Sequence, residues 1–107
     1  MSNALKNFSS DLSELVKEEK DISPPKRYMV ILLNDDITTM DFVVSILIDI
    51  FYYELESAIN KMLQVHNEGK AVCGVYSYDI ATTLQQKVIF VSKTNDYPLK
   101  CIVEECK

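Results

Sequence analysis

The sequence is poor in the residues that build metal centres and disulfide frameworks, with one histidine and three cysteines among 107 residues. The cysteines, Cys73, Cys101 and Cys106, are odd in number and form no CxxC pair. We therefore interpret them as reduced, mostly structural thiols of a cytosolic protein. The single histidine, His66, has no cysteine at ligand spacing, so we predict no zinc site, no other metal and no cofactor.

The sequence also lacks any apolar run that is long enough to cross a membrane. Its most apolar stretch, residues 42–51, is too short to span a bilayer and contains Asp49. The first twenty residues mix both charges and lack the continuous apolar core of a signal peptide. We expect a soluble, cytoplasmic protein with no membrane partner.

Positive charge is scarce. The chain has 11 Lys and Arg against 16 Asp and Glu, which gives a net charge of −5 and a pI near 4.7. An acidic chain is a poor partner for phosphate backbones, so we expect no nucleic-acid partner. The same charge does not exclude a cationic ligand, such as the amino terminus of a peptide. A hydrophobic content of 48% fits one globular domain with a modest core.

Residues 1–24 differ in composition from the rest of the chain. They are rich in Ser, Lys and Glu, and they end at a pair of prolines. Their sparse apolar residues cannot offset the entropy of ordering, so we predict a mobile N-terminal extension, either a disordered tail or a tether for a partner. A transient helix stays open as an alternative, because four apolar residues recur at near-helical spacing: Leu5, Phe8, Leu12 and Leu15.

Residues 25–107 carry the hydrophobic pattern of a folded core domain. The pattern predicts strands over residues 27–33, 70–77 and 99–104, and helices over residues 40–52, 54–67 and 78–94. The first strand is apolar almost throughout, so it should be central or covered on both faces. Gly69 should end the second helix. The order β-α-α-β-α-β predicts an α+β two-layer domain, with three helices on a three-stranded antiparallel sheet.

A polar cluster at residues 34–36 separates the first strand from the first helix. Asn and Asp are poor strand formers, so the cluster can simply end the strand. Such junctions also present side chains and free backbone N–H groups to ligands. Thr38 or Thr39 can cap the helix, and Thr38 with Asp41 resembles a capping box.

The only histidine lies in the last predicted turn of the second helix. Met62 lies one turn before His66 on the same face. If the first two helices pack as a hairpin, His66 can reach Asn34 and Asp35. One hypothesis is a hydrolase in which Asp35, Asp36 and His66 act as acid, base or metal ligands, although no nucleophile motif accompanies them. Another is a general protein-interaction domain.

Several separated motifs carry a resemblance to a known family. The first covers residues 30–36 and continues through Thr38, Met40, Phe42 and Val43. The others contain Met62, Leu63, Val65, His66, Gly69, Lys70, Ala71, Cys73, Gly74, Pro98, Leu99 and Cys101. In this order, over roughly residues 25–105, they resemble the signature of the ClpS family, the adaptors of the bacterial Clp protease.

The resemblance implies an adaptor and not an enzyme. Members bind N-degron proteins, whose first residue is Phe, Tyr, Trp or Leu, and deliver them to the AAA+ unfoldase of the Clp protease, of the ClpA type. The implied acceptors for the substrate's α-amino group are Asn34, Asp35 and His66. The implied side-chain pocket and its rim comprise Asp36, Thr38, Met40, Val43, Met62, Val65 and Leu99. Met40 matches the gatekeeper that disfavours β-branched first residues.

The chain departs from the family pattern in two places. Thr39 stands where many members have proline, which would stiffen the first helical turn. Residues 81–84 read Ala-Thr-Thr-Leu where the resemblance predicts Ala-Glu-x-Lys, charges implicated in unfoldase docking. The nearest charges in this chain are Asp79 and Lys87, which we predict as docking residues. The alternative function is general protein interaction without selectivity for a free amino terminus.

Overall fold

Six regular elements follow one another in the computed structural model, which describes residues 24–107. The strands are β1 (Tyr28–Leu33), β2 (Lys70–Tyr76) and β3 (Lys100–Glu105), and the helices are α1 (Met40–Asp49), α2 (Leu55–Glu68) and α3 (Tyr78–Thr94). The predicted order β-α-α-β-α-β is confirmed, and most boundaries agree within one residue. The predicted N-terminal extension lies, except for Pro24, outside the described residues.

The sheet has the strand order β2-β1-β3, and both pairs are antiparallel. The continuous apolar run of β1 therefore occupies the central strand, where Val30, Ile31 and Leu32 are all buried. The β1–β2 register shifts between Val30 and Ile31, which pair with Gly74 and Val72. Cys73 is the extra residue of this bulge.

All three helices pack on one face of the sheet, which gives the two layers. Because side chains alternate along a strand, Val30 and Leu32 point into the core between sheet and helices, while Ile31 points to the other face. Cys73 and Cys101 belong to this core, as predicted. Burial raises the pKa of each of these two thiols to about 12, so both remain protonated at neutral pH.

Helix α1 ends three residues earlier than predicted. The apolar pattern continues to Tyr52, but the helix stops at Asp49. Tyr52 has φ +60°, a left-handed conformation that ends a helix and costs an L-residue about 1–2 kcal/mol. The amide of Tyr53 donates to Leu47 O at 3.0 Å, which closes the turn towards α2.

Within residues 24–107, every helix falls short of the length and apolarity that a membrane span requires.

The loop between α1 and α2 is fastened to the sheet at the bulge. The Tyr53 hydroxyl donates to the carbonyl oxygen of Cys73 at 2.7 Å. This contact gives a hydrogen-bond partner to the bulge residue and holds the start of α2 against β2. Partial burial in this position raises the pKa of Tyr53 to about 12, so the phenol keeps its donor proton.

Candidate functional site

A cavity of about 360 Å³ lies where β1 ends, α1 begins and the C-terminal half of α2 passes. Its walls are formed by Asn34, Asp35, Asp36, Ile37, Thr38, Thr39, Met40, Val43, Met62, Val65 and His66. The structure thus brings together the side chains that the resemblance assigned to the amino group and the pocket, with the exception of Leu99. Ile37 and Thr39 also line the cavity and were not among the predicted pocket residues.

Backbone hydrogen bonds place the end of β1 beside the end of α2. Gly69 has φ +87°, the left-handed conformation for which glycine is suited, and its amide donates to Val65 O at 2.9 Å. The Gly69 carbonyl in turn accepts from the amide of Asn34 at 2.8 Å. This hydrogen bond holds Asn34 next to the C-terminal end of α2, where His66 lies.

The carboxylate of Asp35 organises the loop that forms the cavity mouth. Its Oδ1 accepts from the amides of Ile37 and Thr38 at 2.9 and 2.6 Å, and its Oδ2 accepts from the Thr38 hydroxyl at 2.6 Å. This is the pattern of an Asx turn. An ionised carboxylate has about four acceptor positions, so roughly one remains for a ligand.

The ionisation of Asp35 follows from the same contacts. Partial burial acts to raise its pKa, but hydrogen bonds from the Thr38 hydroxyl, the Thr38 amide and the Ile37 amide together outweigh burial. The pKa of Asp35 therefore lies below its usual value. A fixed negative charge is present at the mouth throughout the neutral pH range.

The capping box predicted from Thr38 and Asp41 is wrong. The N-cap of α1 is Thr39, whose Oγ1 accepts from the amide of Phe42 at 3.2 Å. The hydroxyl of Thr38 is engaged by Asp35 instead, and Asp41 is the second helical residue rather than the third. The Thr38 hydroxyl thus bonds to the Asp35 carboxylate and does not cap the helix. The sequence pattern of residues 38–41 alone does not reveal this contact.

The side chain of Thr39 makes contacts that hold the start of α1, where a proline would instead restrict the backbone. Its φ of −73° is within the proline range, so the backbone conformation is the same one that proline would impose. Beyond the cap, Thr39 Oγ1 lies 3.5 Å from the Tyr97 hydroxyl. The Tyr97 and Phe42 rings have centroids 4.4 Å apart. Tyr97 thus braces the start of α1 from a distant part of the chain, which sequence reasoning missed.

The cavity combines an apolar interior with an acidic rim. Val43, Met62 and Val65 are buried, while the Met40 side chain is 44% exposed at the mouth. The rim contains two aspartates, and neither lysine nor arginine is among the lining residues. A carboxylate, an amide oxygen and an imidazole are suitable acceptors for a cationic N–H donor. The site suits a ligand that joins a cation to an apolar group.

Leu99 is not among the residues that line this cavity. It is 5% exposed and lines a separate cavity of about 320 Å³ between α3 and β3, together with Ser92 and Tyr97. It belongs to the same hydrophobic core cluster as Val43, Met62 and Val65. The prediction of Leu99 as a pocket residue came from the resemblance, and the residue has no direct place in the walls of the larger cavity.

The predicted docking residues lie on another surface. Asp79 and Lys87 are exposed on α3. Between them, the Thr82 and Thr83 hydroxyls donate to backbone carbonyls of the preceding turn, including Asp79 O. The side chains of this stretch therefore make hydrogen bonds within their own helix.

Within the described residues, no group of three or more His, Cys, Asp and Glu side chains is arranged to hold a metal ion.

Comparison with known proteins defines the class of this protein. Residues 23–102 match the family model of the ATP-dependent Clp protease adaptor protein ClpS. The Clp protease adapter protein ClpS of Neisseria meningitidis serogroup A is 53% identical over 93 residues, which cover 87% of this chain and 90% of the relative. ClpS of Wolinella succinogenes is 47% identical over 97 residues, 91% of this chain and 95% of the relative.

A solved structure agrees with the sequence matches. Agrobacterium tumefaciens ClpS2 bound to L-phenylalaninamide superposes with a TM-score of 0.76 at 34% identity, over 78% of this chain and 100% of that one. These proteins are protease adaptors and not enzymes, so the hydrolase hypothesis for Asp35, Asp36 and His66 is wrong. The chain belongs to the ClpS family, adaptors of the ATP-dependent Clp protease, as the resemblance predicted.

Proposed function

We propose that this adaptor binds proteins that begin with a bulky hydrophobic residue, Phe, Tyr, Trp or Leu, and delivers them to the AAA+ unfoldase of the Clp protease. The carrying observation is the cavity of about 360 Å³, which joins buried apolar walls to the acceptors Asn34, Asp35 and His66. Its size lies at the small end of ligand pockets, which suits one amino-acid residue. L-Phenylalaninamide, the ligand of the Agrobacterium relative, has a free amino group and one aromatic side chain.

Each acceptor has a distinct part in this proposal. Asn34 and His66 offer an amide oxygen and an imidazole nitrogen to an ammonium group that has three donors. Asp35 contributes the negative charge and its remaining acceptor position. Asp36, Thr38 and Met40 form the rim. Val43, Met62 and Val65 contact the first side chain.

Magnitudes indicate that both the amino group and the side chain are required. Charge-assisted hydrogen bonds contribute about 1.5–3 kcal/mol each. Burial of an aromatic side chain of about 200 Å² contributes roughly 5 kcal/mol at about 25 cal/mol per Å². Association removes several kcal/mol of this total, so the expected affinity is of micromolar order. Neither group alone would give useful binding.

The decisive experiment compares a labelled peptide that begins with Phe with its N-acetylated twin by fluorescence anisotropy. Acetylation removes the charge and two donors while the side chain is unchanged. We expect micromolar binding of the free peptide and at least tenfold weaker binding of the acetylated one. Equal binding would favour the alternative, a general protein-interaction domain without amino-terminal selectivity.

We further propose that an unfoldase of the ClpA type is the delivery partner and that Asp79 and Lys87 contribute to docking. These exposed charges lie on α3, outside the cavity walls, so one surface can hold substrate while the other meets the partner. The cytoplasm is the location that we propose for both events. Degradation of a Phe-initiated reporter by reconstituted unfoldase and protease, with and without this adaptor, tests delivery.

A further inference from the structure

Helix α2 has a second apolar side that the core does not use. Its core side consists of Ala58, Met62 and Val65. Leu55, Ile59 and Leu63 recur at four-residue spacing on an adjacent flank, and their exposed fractions are 61, 39 and 40%. Large apolar side chains exposed at this spacing form a continuous stripe, and such surfaces mark interaction sites more often than isolated exposed residues do.

The stripe leads directly to the mouth of the proposed substrate pocket. His66, in the pocket wall, lies seven residues after Ile59 and three after Leu63, so all three side chains share one flank of α2. On α1, Met40 lines the same pocket, and Val44 and Ile48 follow it at four-residue spacing.

Met40 and His66 line one cavity, so the two flanks meet at its mouth. We define the α1–α2 groove as the surface formed by Met40, Val44, Ile48, Leu55, Ile59 and Leu63. Val44 and Ile48 are half-buried and supply its floor. The groove starts at the pocket mouth and runs towards the turn between the helices.

The length of the groove matches a short stretch of extended peptide. From His66 to Leu55 the helix rises roughly 16 Å at about 1.5 Å per residue. An extended chain covers that distance in about five residues at about 3.3 Å each. Among the exposed positions beside the stripe, Asn60 and Asn67 are uncharged and Glu56 is acidic.

We propose that the residues following the substrate's first residue, positions 2 to 6, lie along the α1–α2 groove and that apolar side chains are preferred there. This inference rests on the proposed function, because it requires the amino terminus to be held at His66. The occupant is the unfolded N-terminal segment of the substrate, since the groove is continuous with the pocket from which that segment must emerge. The adaptor would then select a bulky first residue together with an apolar stretch behind it.

The test uses two peptides with the same first residue, Phe-Leu-Ala-Leu-Ala-Lys and Phe-Ser-Ala-Ser-Ala-Lys, each labelled on the terminal lysine. We expect the full-length protein to bind the leucine peptide about tenfold more tightly, since two apolar side chains leave water. The triple variant Leu55→Gln, Ile59→Gln, Leu63→Gln should bind both peptides equally. The matched control, Ile80→Gln with Phe90→Gln, changes exposed apolar residues of α3 and should keep the tenfold preference.

The outcomes separate this inference from the proposed function. Displacement of labelled peptide by L-phenylalaninamide reports the pocket alone, and its failure in the wild-type protein would overturn the proposed function. If displacement succeeds but the wild type binds both peptides equally, or the triple variant keeps the preference, only the groove proposal is overturned. Ile59→Gln alone should show a partial loss if the triple variant fails to fold.

Other occupants of the groove would give different results. A second copy of the chain would appear in sedimentation velocity as a wild-type dimer that the triple variant dissociates, with no difference between the peptides. An unfoldase contact would appear as lost delivery by the triple variant, again with no difference between the peptides. Either result would overturn the proposal.

Discussion

The cavity and the outer surface of α3 differ in how their side chains are held. At the cavity, the Asp35 carboxylate joins three donors of its own loop, and the Asn34 amide reaches across to Gly69. On α3, Thr82 and Thr83 donate only to carbonyls of the preceding turn. We therefore expect substitution at the cavity to disturb neighbouring elements and substitution on the outer surface of α3 to leave the fold intact.

The two departures from the resemblance lie in these two regions. At the pocket, Thr39 starts the helix with φ −73° and an N-cap bond from the amide of Phe42. At residues 81–84, the threonine hydroxyls are satisfied within the helix itself.

The largest effect is expected from Asp35, because that residue serves both the loop and the ligand. Asp35→Ala should weaken binding of a Phe-initiated peptide on the order of 100-fold, since it removes a charge-assisted bond and the contacts that shape the rim. Asp35→Asn is the matched control, because its amide oxygen can still accept from the loop amides. We expect it to lower the melting temperature less than Asp35→Ala does and to bind roughly tenfold more weakly than wild type. Anisotropy and thermal melting together check this, and wild-type affinity of Asp35→Ala would contradict it.

A smaller effect is expected from His66. His66→Ala removes one of the proposed acceptors, so binding of a Phe-initiated peptide should weaken about tenfold. His66→Gln is the matched control, because its amide oxygen can still accept, and its affinity should lie between those of wild type and His66→Ala. Asp35 keeps its charge at neutral pH in all three proteins, because its pKa is lowered in the folded protein. The stabilising effect of Asp35 is complete above the ordinary carboxyl pKa and is lost only as pH falls through the lowered value. Wild-type affinity of His66→Ala in fluorescence anisotropy would exclude His66 as an acceptor.

The helix start should contribute about 1 kcal/mol. Thr39→Ala removes the N-cap bond to Phe42 and the contact with Tyr97, so we expect destabilisation by about 1 kcal/mol, or roughly 4–8 °C in melting temperature. Thr39→Pro is the informative comparison, because φ of −73° already suits proline. It should lie within about 0.5 kcal/mol of wild type, since reduced unfolded-state entropy offsets the lost cap. Equal stability of wild type and Thr39→Ala in denaturant titration would argue against the cap.

The smallest effect on peptide binding is expected from α3. Asp79→Asn with Lys87→Gln should leave the peptide Kd within about twofold, because both residues lie outside the cavity. Delivery to the reconstituted protease should fall several-fold if these charges meet the unfoldase. Lys93→Gln with Asp96→Asn, which changes two exposed charges in the last turn of α3 and just beyond it, should change neither measurement. Weakened peptide binding by the Asp79 and Lys87 variant would show that the α3 surface contributes to peptide binding and is not independent of the cavity.

The order of elements could be predicted from the sequence because hydrophobic periodicity and helix-end signals are local. The continuous apolar run of β1 predicts a central strand, and Gly69 marks the end of α2 at the residue where the structure has it. The early end of α1 could not be predicted, because its apolar pattern continues to Tyr52. The left-handed conformation of Tyr52, where the chain turns towards α2, is visible only in the structure.

The candidate site divides in the same way. The sequence by itself determined which polar groups are available, since Asn34 and Asp35 stand in one short polar motif and His66 lies in the last turn of α2. Tertiary structure decided how these groups are used. It engages the Asp35 carboxylate with its own loop, places Leu99 beside a different cavity and sets Tyr97 against Thr39, 58 residues away in the chain. Local patterns encode which groups a segment carries, but contacts between distant segments depend on packing of the whole domain.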